Sequence, residues 1–288
     1  MKNPLVSIVI ANYNYGRFLE DAIRSVISQN DSNIAELIVC DAASCDNSVE
    51  IIKKHEGKIA WWCSERDGGQ SAAINKGFSH ARGEWLTWLN ADDVLLPGTL
   101  NAFSTLVERE KNARWISGNM LSFDEATKRI LKVNWGPHRQ PPLLKKSKAF
   151  NAVFGPTTFV RRDLYFAAGA IDERLHFAMD TEYWARLTML GINQTRLNHI
   201  CWAFRFHCDS KTEGEQTAVQ SEKRKKETEY WHRKTAYYFR PTFRNPFYVL
   251  WVFWRLVDGS WIVRLIKKIK WEGKPLVAYL DLQNGICK

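Results

Sequence analysis

Two adjacent carboxylates, Asp92 and Asp93, are the residues whose type and position are best suited to chemistry. They follow the apolar run at 85–89. Adjacent carboxylates repel each other unless a cation lies beside them, and carboxylate oxygens suit Mg²⁺ or Mn²⁺. Because Mg²⁺ keeps phosphate oxygens and water as its other ligands, the pair predicts a metal site that receives a diphosphate. By itself, however, an Asp-Asp pair is more often only a turn or a helix cap.

His207 and Asp180 are further candidates for a functional site. His207 is flanked by Arg205 and Lys211, whose charges could neutralise phosphates. A single His is more often packed or solvated than bound to a metal. Asp180 starts a segment with helical spacing, where a carboxylate either caps the helix or projects into a cleft as a base. Spacing leaves both interpretations open for each residue.

The segments that must position these residues alternate between strand-like and helical patterns. Apolar runs predict strands at 5–11, 35–40, 59–63 and 84–89. Apolar residues at helical spacing predict helices between them, at 18–29, 48–55 and 71–81. Such alternation indicates βαβ units and a mainly parallel sheet.

A polar cluster follows each of the four predicted strands. The clusters are Asn12–Asn14, Asp41–Asp46, Asp67–Gln70 and Asn90–Asp93. In parallel sheets, ligands bind outside the carboxyl ends of the strands. The four clusters therefore predict one shared crevice.

The rest of the chain mixes both kinds of element. The patterns predict helices at 99–110, 163–168, 180–190 and 212–238, strands at 114–123, 154–161 and 200–207, and a loop at 135–148.

Composition narrows the class of protein. The chain has 288 residues, which is long enough for one large α/β domain or for one domain plus an appendage. Its 45% hydrophobic and 25% charged residues exclude the disordered and fibrous classes. The net charge of +10 indicates an anionic partner: nucleic acid, an acidic membrane or a phosphorylated ligand. The six Cys contain no Cys-x-x-Cys pair, so we expect reduced thiols and a cytoplasmic location rather than a zinc ribbon or a disulfide framework.

Five sequence blocks, in this order and spacing, resemble the family-2 inverting glycosyltransferases. The blocks are 6–14, 36–41, 64–77, 83–93 and 177–187. The resemblance covers residues 5–211 and implies an α/β GT-A fold, which is Rossmann-like with a mainly parallel sheet flanked by helices. It implies a catalytic domain at 1–211, with the nucleotide part at 1–95 and the acceptor part at 96–211. Residues 212–288 would form a helical C-terminal extension.

The resemblance also implies roles for matching positions. The nucleotide-binding positions are Ala11, Tyr13, Asp41, Asp67, Asn75 and Asp92. The metal positions, for Mn²⁺ or Mg²⁺, are Asp92, Asp93 and His207, with Asp93 favoured as the direct ligand. Asp180 matches the catalytic base, which removes a proton from the acceptor hydroxyl before that hydroxyl attacks the anomeric carbon with inversion.

Two departures from the family pattern concern nucleotide recognition. Ala42 and Ala43 follow Asp41, where the family usually has Gly. Loss of Gly removes backbone freedom, so a different loop and base preference are expected. Ile74 stands where an Arg often precedes the position of Asn75, so one phosphate or base contact is absent.

The implied reaction moves a sugar from a nucleoside-diphosphate sugar, with a UDP-sugar favoured, to a saccharide hydroxyl in polysaccharide, O-antigen or capsule assembly. The donor sugar, the acceptor and the oligomeric state stay open. A nucleotidyltransferase would also use an Asp pair, but residues 12–16 are not the Gly-rich basic loop that it requires. A nucleic-acid-binding protein suits the net charge but lacks a recognised motif, so no nucleic acid is expected. A non-catalytic nucleotide-binding protein would not need Asp92, Asp93 and Asp180 together.

The C-terminal extension combines aromatic and basic residues. An apolar run at 247–254 precedes Arg255, Asp258 and Arg264, and such charges argue against a membrane-spanning helix. Amphipathic helices in the membrane interface and helices packed on the protein are the two alternatives. We favour the membrane, which would place the protein peripherally at the cytoplasmic face of the inner membrane, with a lipid-linked saccharide as acceptor.

Overall fold

A computed structural model describes residues 3–30, 34–135, 158–211, 218–235 and 253–283. The strands are β1 Val6–Asn12, β2 Ala35–Asp41, β3 Trp61–Ser64, β4 Trp85–Asn90, β5 Val94–Leu95, β6 Trp115–Asp124, β7 Ile130–Asn134, β8 Thr158–Arg161 and β9 Thr195–Phe206. The helices are α1 Gly16–Ile27, α2 Ser48–Lys54, α3 Gln70–His80, α4 Thr99–Arg109, α5 Arg162–Ala168, α6 Met179–Met189, α7 Ala218–Thr235, α8 Ser260–Trp271 and α9 Leu276–Gln283. A short helical segment at 253–257 precedes α8.

These strands form one mixed sheet in the order β3-β2-β1-β4-β8-β6-β9-β5, with β7 paired to β6. β1 to β4 are parallel, and β8 runs antiparallel to its neighbours β4 and β6. The register aligns Asn12 with Asp41, and Ala11 with Asn90. The polar residues that end β1, β2 and β4 therefore meet at one edge of the sheet, as the alternating pattern predicted.

Helices cover both faces of the sheet because β1 and β2 are apolar on both sides. Ile8 and Ile10 of β1 pack in one cluster with buried residues of α1 and α4, whereas Val9 packs in a second cluster with α3, α5 and α6. Gly77 of α3 lies so close to β1 that a Cβ there would be 2.5 Å from Val9 Cγ1. That position therefore requires Gly to bring α3 against the sheet.

Stacked tryptophans hold α6 in place. The Trp184 ring stacks on Trp88 of β4 at 5.3 Å between centroids, and on Trp115 of β6 at 5.9 Å. Tyr183, Trp184 and Leu187 of α6 are buried. Asp180 precedes Trp184 by four residues and so lies on the same side of the helix. The buried aromatic residues thus determine where Asp180 projects.

The C-terminal helices pack on the hairpin formed by β6 and β7. Trp271, Leu276 and Tyr279 join Ile130 and Val133 in a third buried cluster. Packing on the protein, one of the two alternatives, is therefore observed for this part of the extension. Within the described ranges, no helix is both long and apolar enough to cross a bilayer. Most of the aromatic run, at 247–252, lies outside the described residues.

Most predicted elements form at their predicted positions, with differences after β4. Neither β5 nor β7 was predicted, and β9 starts at Thr195 rather than at residue 200. These differences arise from pairing, since β7 completes a hairpin on β6 and β5 pairs with β9. The loop predicted at 135–148 and the start of the strand predicted at 154–161 lie outside the described residues.

Candidate active site

A cleft of about 960 Å³ opens at the carboxyl ends of β1, β2 and β4. Its volume is within the usual range for small-molecule sites. Five of the predicted site residues line it: Ala11, Tyr13, Asp67, Asp92 and Asp180. The cleft also has four cationic side chains, which suit an anionic ligand: Arg66, Lys132, Lys211 and Arg224.

Asp92, on the wall of this cleft, is paired with His207. His207 Nε2 lies 3.1 Å from Asp92 Oδ2, and both side chains are largely buried. His207 directly follows β9. Because β9 pairs with β5, and β5 closely follows β4 in the chain, His207 lies beside the end of β4. The structure therefore unites two residues that are 115 positions apart in sequence. No described group of three or more His, Cys, Asp or Glu is arranged to hold a metal ion.

Asp93, which the sequence favoured as the direct metal ligand, faces the protein interior, so its metal role stays a prediction. Its carboxylate is fully buried and accepts hydrogen bonds from the backbone N–H of Arg205 at 3.0 Å and from Asn90 Nδ2 at 2.9 Å. Burial, together with the adjacent Asp92 carboxylate, raises the pKa of Asp93 well above its usual range. The chain turns after β4, so consecutive carboxylates point in different directions.

Arg205 is also committed to the protein rather than to a phosphate. Its guanidinium is buried and donates to the backbone oxygen of Asp92, to Glu125 and to Asp21. Lys211, in contrast, lines the cleft, where its Nζ donates to Gln70 Oε1 at 3.0 Å. Burial lowers the pKa of Lys211 to about 8, although the nearby Asp180 carboxylate opposes that shift. Of the two cations that flank His207, Lys211 is thus the one that lines the cleft.

Asp41 organises the loop after β2 and does not itself line the cleft. Its buried carboxylate accepts from Asn12 Nδ2 at 2.6 Å, from Ser44 Oγ at 2.5 Å and from Ser64 Oγ at 2.6 Å. Ala43 has a φ of 55°, in the left-handed region that Gly adopts at lower cost. Ala43 therefore keeps a conformation that Gly favours, and it lines the cleft.

Asn75 lies outside the cleft and forms hydrogen bonds with the segment before α6. Its Nδ2 donates to the backbone oxygen of Ile171 and to Glu173, both at 2.9 Å. Its Oδ1 accepts from Tyr165 Oη at 2.6 Å and from the backbone N–H of Ile171. These contacts connect α3 to the chain that leads into α6.

Asp180 lies on the cleft wall at the first turn of α6. Its Oδ1 accepts from the backbone N–H of Thr181 at 2.6 Å and from Thr181 Oγ1 at 3.2 Å. Burial raises the pKa of Asp180, and the hydrogen bonds from Thr181 oppose that shift. A carboxylate with a raised pKa in a cleft has the character of a general base.

Glu227 of α7 was not predicted, yet it holds the chain just before Asp180. Its Oε2 accepts from the backbone N–H groups of His176, Phe177 and Ala178 at 2.9, 2.7 and 3.3 Å. Free N–H groups at a helix start need such an acceptor. The sequence of 212–238 could not predict this contact. In a highly charged helix, the pattern does not distinguish one buried Glu from the exposed charged residues around it.

Replacing Glu227 by Ala is expected to lower kcat more than it raises KM for the donor. The three N–H groups lose their acceptor, which should cost about 1–3 kcal/mol of stability, and the chain that carries Asp180 loosens. Glu227→Gln should restore much of kcat because an amide oxygen still accepts these bonds. Steady-state kinetics and thermal unfolding measure both effects. The matched control is the exposed Glu229 of the same helix, and an equal effect of Glu229→Ala would contradict a specific role for Glu227.

Comparisons with known proteins show the family and the fold of this chain. The profile described as "Glycosyl transferase family 2" matches residues 7–165, more than half of the chain. An uncharacterised glycosyltransferase of Mycoplasma pneumoniae is 30% identical over 206 residues, which are 67% of this chain and 66% of the relative. The chain therefore spans 66% of the length of this relative, and 42% of the length of a similar Streptococcus pneumoniae glycosyltransferase.

Solved structures share the fold at low sequence identity. TarS 1–349 of S. aureus, in complex with UDP-GlcNAc, has a TM-score of 0.56 at 14% identity, covering 80% of this chain and 72% of that one. A mannosyltransferase of Pyrobaculum calidifontis, in complex with GDP-Man and Mn²⁺, has a TM-score of 0.54 at 15% identity, covering 99% and 81%. The predicted α/β GT-A fold and the predicted family are both confirmed.

Proposed function

Because this chain belongs to glycosyl transferase family 2, we propose that it is an inverting glycosyltransferase that takes its sugar from a nucleoside-diphosphate sugar. The observation that carries the proposal is one cleft at the strand ends that contains both Asp92, beside His207, and Asp180. Asp92 and His207 can hold the diphosphate through a metal, and Asp180 can activate a hydroxyl. A nucleotidyltransferase or a non-catalytic binding protein would not need Asp180 for that purpose.

Asp180 acts as the base in this proposal. Its carboxylate accepts the proton of the acceptor hydroxyl as the hydroxyl oxygen bonds to the anomeric carbon. The bond from that carbon to the diphosphate oxygen breaks on the opposite face, so configuration inverts. Lys211 and Arg66 line the cleft and can stabilise the negative charge that develops on the leaving diphosphate.

Asp92 and His207 are proposed to hold the divalent metal. Carboxylate oxygen suits Mg²⁺ and Mn²⁺, and imidazole is the commonest metal ligand among side chains. His207 Nε2 and Asp92 Oδ2 lie 3.1 Å apart, so the two side chains are close enough to bind one ion together. When bound, Mn²⁺ or Mg²⁺ would neutralise diphosphate charge. The mannosyltransferase structure, which shares this fold, contains Mn²⁺, and this supports the proposal of a divalent metal.

We further propose a UDP-sugar as donor and a saccharide hydroxyl as acceptor, within bacterial polysaccharide, O-antigen or capsule assembly at the cytoplasmic side of the membrane. The UDP-GlcNAc complex of TarS supports the donor class, and Ala11, Tyr13 and Asp67 line the part of the cleft proposed for the nucleoside. The boundary at residue 211 between catalytic domain and extension stays a prediction. Contacts of Arg224 and Glu227 with the site favour including α7 in the catalytic unit.

A panel of nucleoside diphosphates, each with and without Mn²⁺, should identify the donor class by thermal unfolding. Ligand that binds only the native state stabilises it by about 2.7 kcal/mol at 100 times Kd. We expect the largest Mn²⁺-dependent rise in Tm with UDP, and smaller rises with GDP and dTDP. Equal shifts for all nucleotides would contradict the UDP assignment. The absence of any shift would contradict the proposed donor site itself.

A further inference from the structure

An exposed apolar surface, here called the apolar face, lies on the C-terminal helices. It comprises Phe253, Leu256, Val257, Trp261, Ile262, Leu265, Ile266, Ile269 and Val277, whose exposed fractions range from 40% to 74%. Among all described residues, the other exposed large hydrophobic side chains are Tyr13, Leu131, Phe166, Met189 and Leu190. Exposed apolar residues are thus concentrated here, which marks an interaction site.

Five of these side chains form one stripe along α8. They occur at positions 261, 262, 265, 266 and 269, the spacing of one side of an α-helix. The opposite side packs on the protein, where Trp271 is buried and Val263 packs against the third cluster. The stripe therefore faces outward on a helix whose inner side is already occupied.

The chain after α8 is fixed to β7, so the protein presents the apolar face on a rigid support. The backbone N–H of Gly273 donates to the Ile130 oxygen at 2.7 Å, and the N–H of Ile130 donates to the Lys274 oxygen at 2.8 Å. β7 also contributes Lys132 and Asn134 to the cleft. The same strand therefore contacts the C-terminal helices and borders the candidate active site.

Basic residues accompany the apolar stripe. Residues 260–274 contain five basic side chains and one acidic one, Glu272. Lys268, Lys270 and Lys274 are exposed, and Lys268 lies 3.7 Å from Glu272. An outward apolar stripe with a tryptophan and adjacent lysines has the composition of a helix that lies in the interface of an anionic bilayer.

We propose that the apolar face docks this protein on an anionic membrane surface, with α8 lying in the plane of the interface. The apolar stripe enters the boundary between head groups and acyl chains, and the lysines contact anionic head groups. A nucleic acid would match only the charge and not the stripe. Docking would hold the β7 side of the cleft near the membrane, where a lipid-linked acceptor is presented.

Vesicle sedimentation of the full chain tests this proposal without relying on sugar transfer. We expect binding to vesicles of phosphatidylcholine mixed with phosphatidylglycerol. Binding should be weaker to phosphatidylcholine alone and should decrease with salt. The double substitution Ile266→Asp and Ile269→Asp should weaken binding by about tenfold or more, since it places charge in the apolar stripe. Both side chains are exposed, so Tm and nucleotide binding should not change.

Leu190→Asp is the matched control, because Leu190 is a comparably exposed apolar residue away from the apolar face. This variant should bind vesicles as the wild type does. The proposal is overturned if the wild type stays in the supernatant with anionic vesicles, or if the double variant binds equally well. It is also overturned if light scattering shows a wild-type oligomer that the double variant converts to monomer, since the face would then join protein chains.

Discussion

Replacing Asp180 by Asn should lower kcat by about 10²–10⁴-fold, the usual contribution of a general base. The amide cannot accept the hydroxyl proton, yet its oxygen can still accept the hydrogen bonds that Thr181 donates. The fold should therefore persist, and the nucleotide should bind with nearly wild-type affinity. Turnover in a donor-and-acceptor assay and nucleotide binding by calorimetry measure the two effects separately.

The pH dependence of kcat/KM provides a second measurement of this role. Burial raises the pKa of Asp180, and the base must be deprotonated to act. Activity should therefore fall on the acid side at a pH above the ordinary Asp value of about 3.9, and Asp180→Asn should lose this limb. Asp67→Asn is the control, because Asp67 lines the cleft but is proposed to contact only the nucleoside: it should raise KM and retain kcat. Normal turnover of Asp180→Asn would contradict the assignment.

Replacing Asp92 by Asn should remove the Mn²⁺-dependent part of nucleotide binding. At a ligand concentration of 100 times the wild-type Kd, we expect the loss of most of the ~2.7 kcal/mol of ligand stabilisation. The Tm without ligand should change little, because Asp92 lies on the cleft wall and its main side-chain partner is His207. Thermal unfolding with nucleotide, with and without Mn²⁺, measures this difference.

Asp93→Asn is the informative comparison, because the family pattern favours Asp93 whereas the structure places Asp92 on the cleft wall. The Asp93 carboxylate is buried against Arg205. This variant should therefore lower the Tm without ligand and retain the Mn²⁺ dependence. The opposite pattern, with Mn²⁺ dependence lost in Asp93→Asn and kept in Asp92→Asn, would reverse the assignment.

Local patterns predicted residues 5–90 well because the strands and helices there depend on neighbouring residues. The apolar run of β1 is buried on both faces of the sheet, and its sequence alone predicts such a strand. The hairpin strand β7 was missed for the opposite reason. Its residues alternate irregularly, with Ile130 and Val133 buried and Leu131 exposed, and the strand depends on pairing with β6 and on packing against Trp271.

The candidate site also has residues that the sequence predicted and features that it could not predict. The residue types at strand ends indicated Asp92, because a parallel sheet brings its carboxyl ends together whatever the details of packing. Asp180, at the start of α6, was indicated by the family resemblance. The type of a residue cannot show the direction of its side chain. Asp41, Asn75 and Asp93 therefore match the family pattern in sequence but hold loops and strands in the structure.

The sequence by itself determined the α/β class, the family and the edge of the sheet where the site lies, because hydrophobic periodicity and short motifs are local properties. The tertiary structure alone decided which carboxylate faces the cleft, and that Glu227 holds the chain before Asp180 across an interval of about 50 residues. It also decided that the buried Arg205 guanidinium forms ion pairs with Asp21 and Glu125. Each of these depends on side-chain direction and on contacts between distant segments, which only the packed chain specifies.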